Sequence, residues 1–220
     1  MAALEIRWET ISRISAAKEV VVTGEKASVP TSAAQQGIVI DRPLAVLVGD
    51  EGTGSEGFDK LAQVVFKNEK VAIGMKAFRT VRMSTAQAEE DPLLAGKGTE
   101  NPRILLVEPT EKKVTVVEKS KLSAGGLFSA MESISGKFYA QKLDKVVKEH
   151  LSLLTKQDQL VNEEKVLGEK ETRLKEEDGA KAEKDLEKLK AERDALRKEQ
   201  AELTTKQAAL WKLTPKDKAA

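Results

Sequence analysis

A seven-residue repeat of apolar residues runs through the C-terminal third of the chain and limits what that part can fold into. It forms two arrays: Val146, Leu153, Leu160, Leu167 and Leu174, then Leu189, Leu196, Leu203 and Leu210. Repeats of this period among Lys and Glu are typical of coiled coils. The arrays are out of phase, and Asp178-Gly179 between them is a turn signal, since glycine can supply a left-handed helix cap. We therefore predict an antiparallel coiled-coil hairpin over residues 140–214 that turns near 178–179.

Two arrangements of these heptads are open. In a hairpin, each arm of about 35 residues would span about 50 Å. The alternative is one long helix in a parallel dimer, which must absorb the phase slip and a mid-helix glycine that costs about 1 kcal/mol. The nearly equal arms favour the hairpin. With a turn centred on Asp178-Gly179, the expected facing pairs are Val147 with Leu210, Leu154 with Leu203, and Val161 with Leu196.

The expected seam between the two arms is thin because its other heptad position is polar. These positions hold His150, Gln157, Glu164 and Glu171 in the first arm and Arg193, Gln200 and Gln207 in the second. Helices with so few apolar contacts are marginal alone, so we expect self-association or a protein partner to complete the seam. Trp211 would lie near the base of the hairpin, where packing is the favoured role and anchoring of a partner is the alternative. The predicted interaction residues are Leu153, Leu160, Leu167, Leu189, Leu196, Leu203, Leu210 and Trp211.

The composition changes sharply near residue 140. All but two of the glycines, all but one of the prolines and the β-branched runs come before it. Short apolar runs indicate buried strands, and apolar residues at intervals of three or four indicate helices. Strands are predicted at 20–22, 38–40, 44–48, 78–83, 103–107 and 113–117, and helices at 58–66 and from the N-cap Ser123 to Phe138. We therefore predict an α/β domain over residues 1–139, and beyond the hairpin a disordered tail over residues 215–220.

The order of the N-terminal elements has a counterpart in a known family. Strand, helix, strand, loop, hairpin and helix follow one another over residues 40–138, and Asn101-Pro102 directly precedes the strand that begins at Arg103. This segment resembles the thioredoxin-like superfamily, which implies a cis peptide bond before Pro102. The family keeps a redox dithiol after its first core strand, where this chain has the loop 50–56 without cysteine. The resemblance therefore implies a redox-inactive member that keeps the scaffold as a docking module.

The same loop contains Gly52, Gly54 and Gly57 in the spacing of a dinucleotide-binding motif. Such glycines let the backbone approach a pyrophosphate at a helix N-terminus. No acidic residue ends the next strand near Ser84 to bind a ribose hydroxyl. Negative charge stands where phosphates would sit, on Asp50, Glu51 and Glu56. We therefore favour a flexible glycine-rich loop and keep a nucleotide-dependent enzyme as an alternative.

Other chemistry has little support in this loop. Thr53 and Ser55 have no base nearby in the sequence, and the single histidine, His150, falls within the predicted coiled coil. A structural role is favoured for that histidine. The acidic residues lack the spacing of a calcium-binding loop and are favourable near a helix N-terminus in any case. We predict no catalytic residue, no metal site and no cofactor.

Composition excludes several partners. The net charge of +1 and the aromatic fraction of 4% supply neither a basic field nor a stacking surface for nucleic acid. The chain has no cysteine, so disulfides, CxxC redox chemistry and thiolate metal sites are excluded. No apolar run is long enough to span a membrane. Acidic residues near Met1 stand where a signal peptide needs an apolar core, so a cytoplasmic location is the default and export stays open if a leader was trimmed.

These patterns predict a non-catalytic structural, scaffold or adaptor protein that associates with other proteins through its coiled coil. Two alternatives stay open. A nucleotide-dependent α/β enzyme using the 52–57 loop would be stabilised by a nucleotide. A chaperone with a coiled-coil arm would suppress the aggregation of unfolded clients.

Overall fold

The computed structural model describes residues 5–10, 42–50, 55–176 and 180–216. The predicted strands at 20–22 and 38–40 and the predicted turn at 178–179 lie outside the described residues. The chain divides into two compact units. Lys148–Lys212 form one, here called the helix pair, and the described residues before and after it form the other, here called the sheet unit. This division falls later in the chain than the boundary predicted at 139–140.

The chain is a mixed α/β protein, and a mixed sheet organises the sheet unit. Its strands are β1 (Glu9–Thr10), β2 (Leu44–Val48), β3 (Arg79–Met83), β4 (Arg103–Glu108) and β5 (Lys113–Val117). They lie in the order β1-β3-β2-β4-β5. The first three strands in this order are parallel, and β4 is antiparallel to both β2 and β5. The strands predicted from residue 44 onward and the hairpin of β4 and β5 are therefore confirmed.

Six α-helices accompany these strands in the described residues. They are α1 (Ser55–Lys60), α2 (Glu69–Gly74), α3 (Thr85–Glu90), α4 (Ala124–Phe138), α5 (Leu143–Glu176) and α6 (Ala180–Leu210). The single helix predicted at 58–66 begins earlier, at Ser55, and runs into a π-helical turn over Leu61–Val65. The predicted N-cap of α4 is confirmed, because the Ser123 hydroxyl accepts a hydrogen bond from the Gly126 N–H at 3.2 Å.

Helices α2 and α3 were not predicted from the sequence, although both begin at recognisable caps. The Asn68 side chain accepts a hydrogen bond from the Val71 N–H at the start of α2. Ser84 and Gln87 form a reciprocal capping box at the start of α3, the pattern in which a hydroxyl and an amide satisfy two free backbone donors. Both helices are only six residues long, so their apolar periodicity is too short to detect.

The core of the sheet unit lies on the two central strands. Every residue of β2 and β4 is buried, as expected of strands covered on both faces. One face packs Val46, Val81 and Leu105 into a shared apolar cluster, and α4 contacts β4. Complete burial of a Val or Leu side chain contributes about 1.5–3 kcal/mol, so these continuous apolar runs account for the stability of the sheet.

The segment before β4 is held by one buried cation. Arg103 is 1% exposed, and its guanidinium donates to the carbonyl oxygens of Lys97 and Glu100, both at 3.0 Å. Gly98 in the same segment has a φ of +77°, and a Cβ there would lie 2.6 Å from a carboxylate oxygen of Glu118. The Asn101–Pro102 peptide bond that follows is cis, as the resemblance implies.

The end of the sheet unit returns to α4. The Ala140 N–H donates to the Thr214 carbonyl at 2.9 Å, and the Lys216 N–H donates to the Phe138 carbonyl at 2.8 Å. Pro215 forms an isolated antiparallel bridge with Tyr139. Pro215 and Lys216 are therefore ordered by backbone hydrogen bonds, and the prediction of a disordered tail from residue 215 is wrong for these two residues. The rest of the predicted tail lies outside the described residues.

Candidate functional site

Leucines from α5 and α6 meet along the centre of the helix pair. Leu160, Leu196 and Leu203 form a buried cluster, and Leu153 and Leu167 pack against it. Pairs of polar residues continue the contact from Gln157 with Gln207 to Glu171 with Arg193, so the partner in α6 moves back as the chain advances in α5. The two helices are therefore antiparallel. At about 1.5 Å per residue, α5 and α6 are about 50 Å and 46 Å long.

The polar heptad positions face one another across the helix pair. A side-chain amide hydrogen of Gln207 is donated to Gln157 at 3.2 Å, and one of Gln200 to the Glu164 carboxylate at 3.3 Å. The Arg193 guanidinium donates to Glu171. Hydrogen-bonded polar pairs thus alternate with leucine contacts along the seam. Because a half-heptad slip would oppose leucine to a polar group, this alternation specifies the alignment of the helices.

The pairing that the sequence analysis expected is wrong. It placed Val161 opposite Leu196, yet Val161 is 54% exposed, whereas Leu160 is buried in the same cluster as Leu196. The prediction matched apolar residues alone. The matching of polar residues with polar residues decides the alignment, because a buried polar group without a partner costs about 1–3 kcal/mol.

An aromatic pair closes one end of the helix pair. His150 is only 2% exposed, and its Nδ1 accepts a hydrogen bond from the indole Nε1–H of Trp211 at 3.2 Å. The two rings meet edge to face, with centroids 5.6 Å apart. An Nδ1 that accepts this bond carries no proton. This contact favours the packing role for Trp211 over the exposed anchor.

The predicted interaction leucines lie on the inner side of the helix pair. Leu160, Leu189, Leu196 and Leu203 are buried, and Leu153, Leu167 and Leu210 are half-buried. They therefore stabilise the pair itself and leave little surface for a partner.

A groove beside this seam provides apolar surface that is still accessible. It measures about 550 Å³, and Leu167 and Leu196 reach it from the seam. Val166 and Ala195 also line it, and the Val166 side chain is 49% exposed. Glu163 and Glu199 stand at its border. Val166 was not predicted from the sequence, because its position falls outside the leucine repeat.

The second candidate region is the carboxyl edge of the parallel strands, where ligands bind in many α/β proteins. Asp50 follows β2, and its carboxylate accepts the Thr85 N–H at 2.9 Å and the Asn101 side-chain amide at 3.5 Å. Hydrogen bonding from Thr85, first by its side chain and then by its backbone, lowers the pKa of Asp50. The carboxylate is therefore ionised at neutral pH and engaged with the protein itself.

Of the three motif glycines, only Gly57 is described. A Cβ at Gly57 would lie 2.9 Å from Cδ of Pro102, so close packing against the cis proline explains why glycine stands there. Gly52 and Gly54 lie outside the described residues, as do Glu51 and Thr53, and the side chains of Ser55 and Glu56 are not described. Within the described ranges, no three His, Cys, Asp or Glu side chains are grouped to hold a metal ion.

The length and the apolar character of the described helices were compared with what a membrane-spanning helix needs. None of them combines the length and the apolar character that crossing a bilayer requires.

Comparison with family models, with curated proteins and with solved structures found no match to this chain.

Proposed function

We propose that this chain is a non-catalytic structural or adaptor protein that associates with protein through its helix pair. In this proposal the helix pair is an antiparallel coiled-coil hairpin, and the sheet unit is a redox-inactive thioredoxin-like docking module. The observation that carries the proposal is the alternation of leucine and polar layers between two helices of 34 and 31 residues.

The composition of the seam supports the association role. Only every second layer is apolar, so the pair gains little hydrophobic stabilisation for its length. Its polar layers are internally hydrogen-bonded and specify alignment rather than strength. A helix pair that is well aligned but weakly stabilised by apolar contacts gains further stability when another protein covers its open groove.

The strand order supports the thioredoxin-like assignment of the sheet unit. Parallel β1, β3 and β2 continue into antiparallel β4 and β5, and a cis proline precedes β4. The chain has no cysteine, so the dithiol chemistry of the family has no residue to perform it. Docking is the role that this scaffold keeps without a dithiol.

The nucleotide-dependent alternative has less support. The Asp50 carboxylate is ionised beside the loop where phosphates would bind, and Gly57 has a packing explanation. For the chaperone alternative, the exposed apolar surface of the groove is small and charged side chains border it. Neither alternative is proposed.

A photo-crosslinking experiment tests the proposal on the full chain in cells. A benzoylphenylalanine replaces Val166 in the groove, and a matched control replaces Val64, which is 60% exposed in the sheet unit. We expect a discrete covalent adduct from Val166 and no such band from Val64. If Val166 yields no discrete adduct, the association role is wrong.

A further inference from the structure

The groove beside the seam is bounded by six residues that define what is here called the groove face: Glu163, Val166 and Lys170 on α5, with Glu192, Ala195 and Glu199 on α6. Its centre is apolar, because the half-exposed Val166 lies in the groove with Ala195. Leu167 and Leu196 form part of the groove lining beneath them. A strip of apolar surface therefore lies open between charged borders.

One end of the groove face is acidic. Glu163 and Glu199 lie there, and Lys156 binds Glu199 at 2.6 Å. Glu202 adds a further negative charge beside Lys156. The single lysine does not balance the three carboxylates, so negative charge predominates at this end.

The other end of the groove face is basic. The groove continues past Lys170 to Arg173 and Lys188, with Asp185 and Glu192 beside them. Three cations against two carboxylates leave this end with a net positive charge. Because α5 and α6 are antiparallel, Arg173 and Lys188 lie on the same side of Val166 and Ala195, and Glu163 and Glu199 lie on the other. Along α5, Glu163 lies about 5 Å from Val166 on one side and Lys170 about 6 Å from it on the other, at 1.5 Å per residue.

This arrangement is complementary to itself. Consider a two-fold axis that passes through Val166, lies in the groove face and is perpendicular to α5. A second copy related by this axis would place its acidic end on the basic end of the first copy and bring the two valines together. Such isologous contacts are the commonest basis of homodimers. α5 ends at Glu176, about 15 Å beyond Val166, so two copies related by this axis overlap over about 30 Å. A face about 20 Å wide then offers about 600 Å² per partner, which is at the lower end of the range for specific interfaces.

We propose that the occupant of the groove face is a second copy of this chain, with Val166 of the two copies in contact and Glu163 of each opposite Lys170 of the other. The two helix pairs then form a four-helix bundle. This inference rests on the proposed function, for which it names the partner. The crosslinking experiment separates the two. An adduct of twice the chain mass supports both, whereas an adduct with a different protein supports the function and overturns this inference.

Sedimentation of the purified full chain over a concentration series tests the dimer directly. We expect a reversible dimer whose dissociation constant rises at least tenfold, about 1.4 kcal/mol, for Val166→Lys. The matched control is Val161→Lys on the same helix, since Val161 is also about half exposed (54%) but does not line this groove. Circular dichroism of both variants checks that the helices are retained. Equal weakening by the two variants, or a chain that stays monomeric throughout the series, overturns the inference.

A charge reversal checks the orientation of the two copies. Glu163→Lys and Lys170→Glu each oppose like charges across the proposed axis, so each should weaken the dimer. The double variant restores opposite charges and should recover the affinity of the original chain. Additive weakening in the double variant overturns this orientation. The single-variant effects should also shrink at high salt, because exposed charges are screened within about 8 Å at physiological ionic strength.

Discussion

Buried polar side chains of the sheet unit form hydrogen bonds with backbone groups that lie outside the strands. Arg103 binds two carbonyl oxygens of the segment before β4. Glu108, at the end of β4, is 4% exposed and accepts the N–H groups of Thr110 and Glu111 in the following turn. Neither role could be predicted from the sequence, because both side chains bind backbone atoms, and backbone atoms carry no residue-specific signal.

Glu108 provides a pH-dependent test at this scale. Burial raises its pKa, but hydrogen bonds from Glu111 and Thr110 and the charge of Lys137 outweigh burial, so the net pKa is lowered. A carboxyl whose folded pKa lies below the unfolded value stabilises above the unfolded pKa, and this contribution is lost as the pH falls through the folded pKa. Glu108→Gln should therefore lower the unfolding free energy by about 1–2 kcal/mol at pH 7, with a smaller difference at pH 3.

Urea unfolding at the two pH values measures this difference. Glu111→Gln is the matched control, since the Glu111 side chain is exposed and only its backbone N–H takes part in the turn. A Glu108→Gln deficit that is equally large at pH 3 and pH 7 would contradict the ionised role of Glu108.

At the scale of elements, the repeat in the sequence predicted the long helices well and their alignment poorly. Seven-residue spacing locates the leucines on one side of each helix, whichever partner residue they meet. Alignment depends on which polar residues pair, such as Glu164 with Gln200, and these pairs are separated by 36 positions in the chain. Short helices such as α3 are predictable from Ser84 and Gln87 as a cap, but not from periodicity.

The polar layer formed by Glu164 and Gln200 should make the helix pair less stable than an apolar layer would. Glu164→Leu together with Gln200→Leu replaces a hydrogen-bonded polar layer with an apolar one, which should raise the unfolding free energy of the helix pair by about 1–3 kcal/mol. Glu164→Leu alone should give less than half of this gain, since it leaves the Gln200 amide facing a leucine. Thermal unfolding followed by circular dichroism measures both. Gln159→Leu, at an exposed position of α5, is the control for added hydrophobicity. A gain in unfolding free energy as large as that of the double variant would show that the polar layer does not limit the stability of the helix pair.

For the whole molecule, the two units are expected to unfold in separate steps. The chain has two tryptophans, one in each unit: Trp8 contacts Phe66 with ring centroids 5.4 Å apart, and Trp211 contacts His150. Trp211→Phe thus leaves a fluorescent probe in the sheet unit, and Trp8→Phe leaves one in the helix pair. We expect the helix pair to unfold at lower urea, because its apolar seam is thin. Coincident transitions from both variants would contradict this independence.

The hydrogen bonds of Ala140 and Gln141 with Thr214 join the two segments of the sheet unit that precede and follow the helix pair. The helix pair is thus an insert with both ends tied to one host, so its length is adjustable. Removing one heptad from α5 and the matching heptad from α6 would bring new residues into the same alternating layers without disturbing the host. The helix pair should therefore tolerate matched deletions or insertions of whole heptads, and it could be exchanged for another antiparallel helix pair.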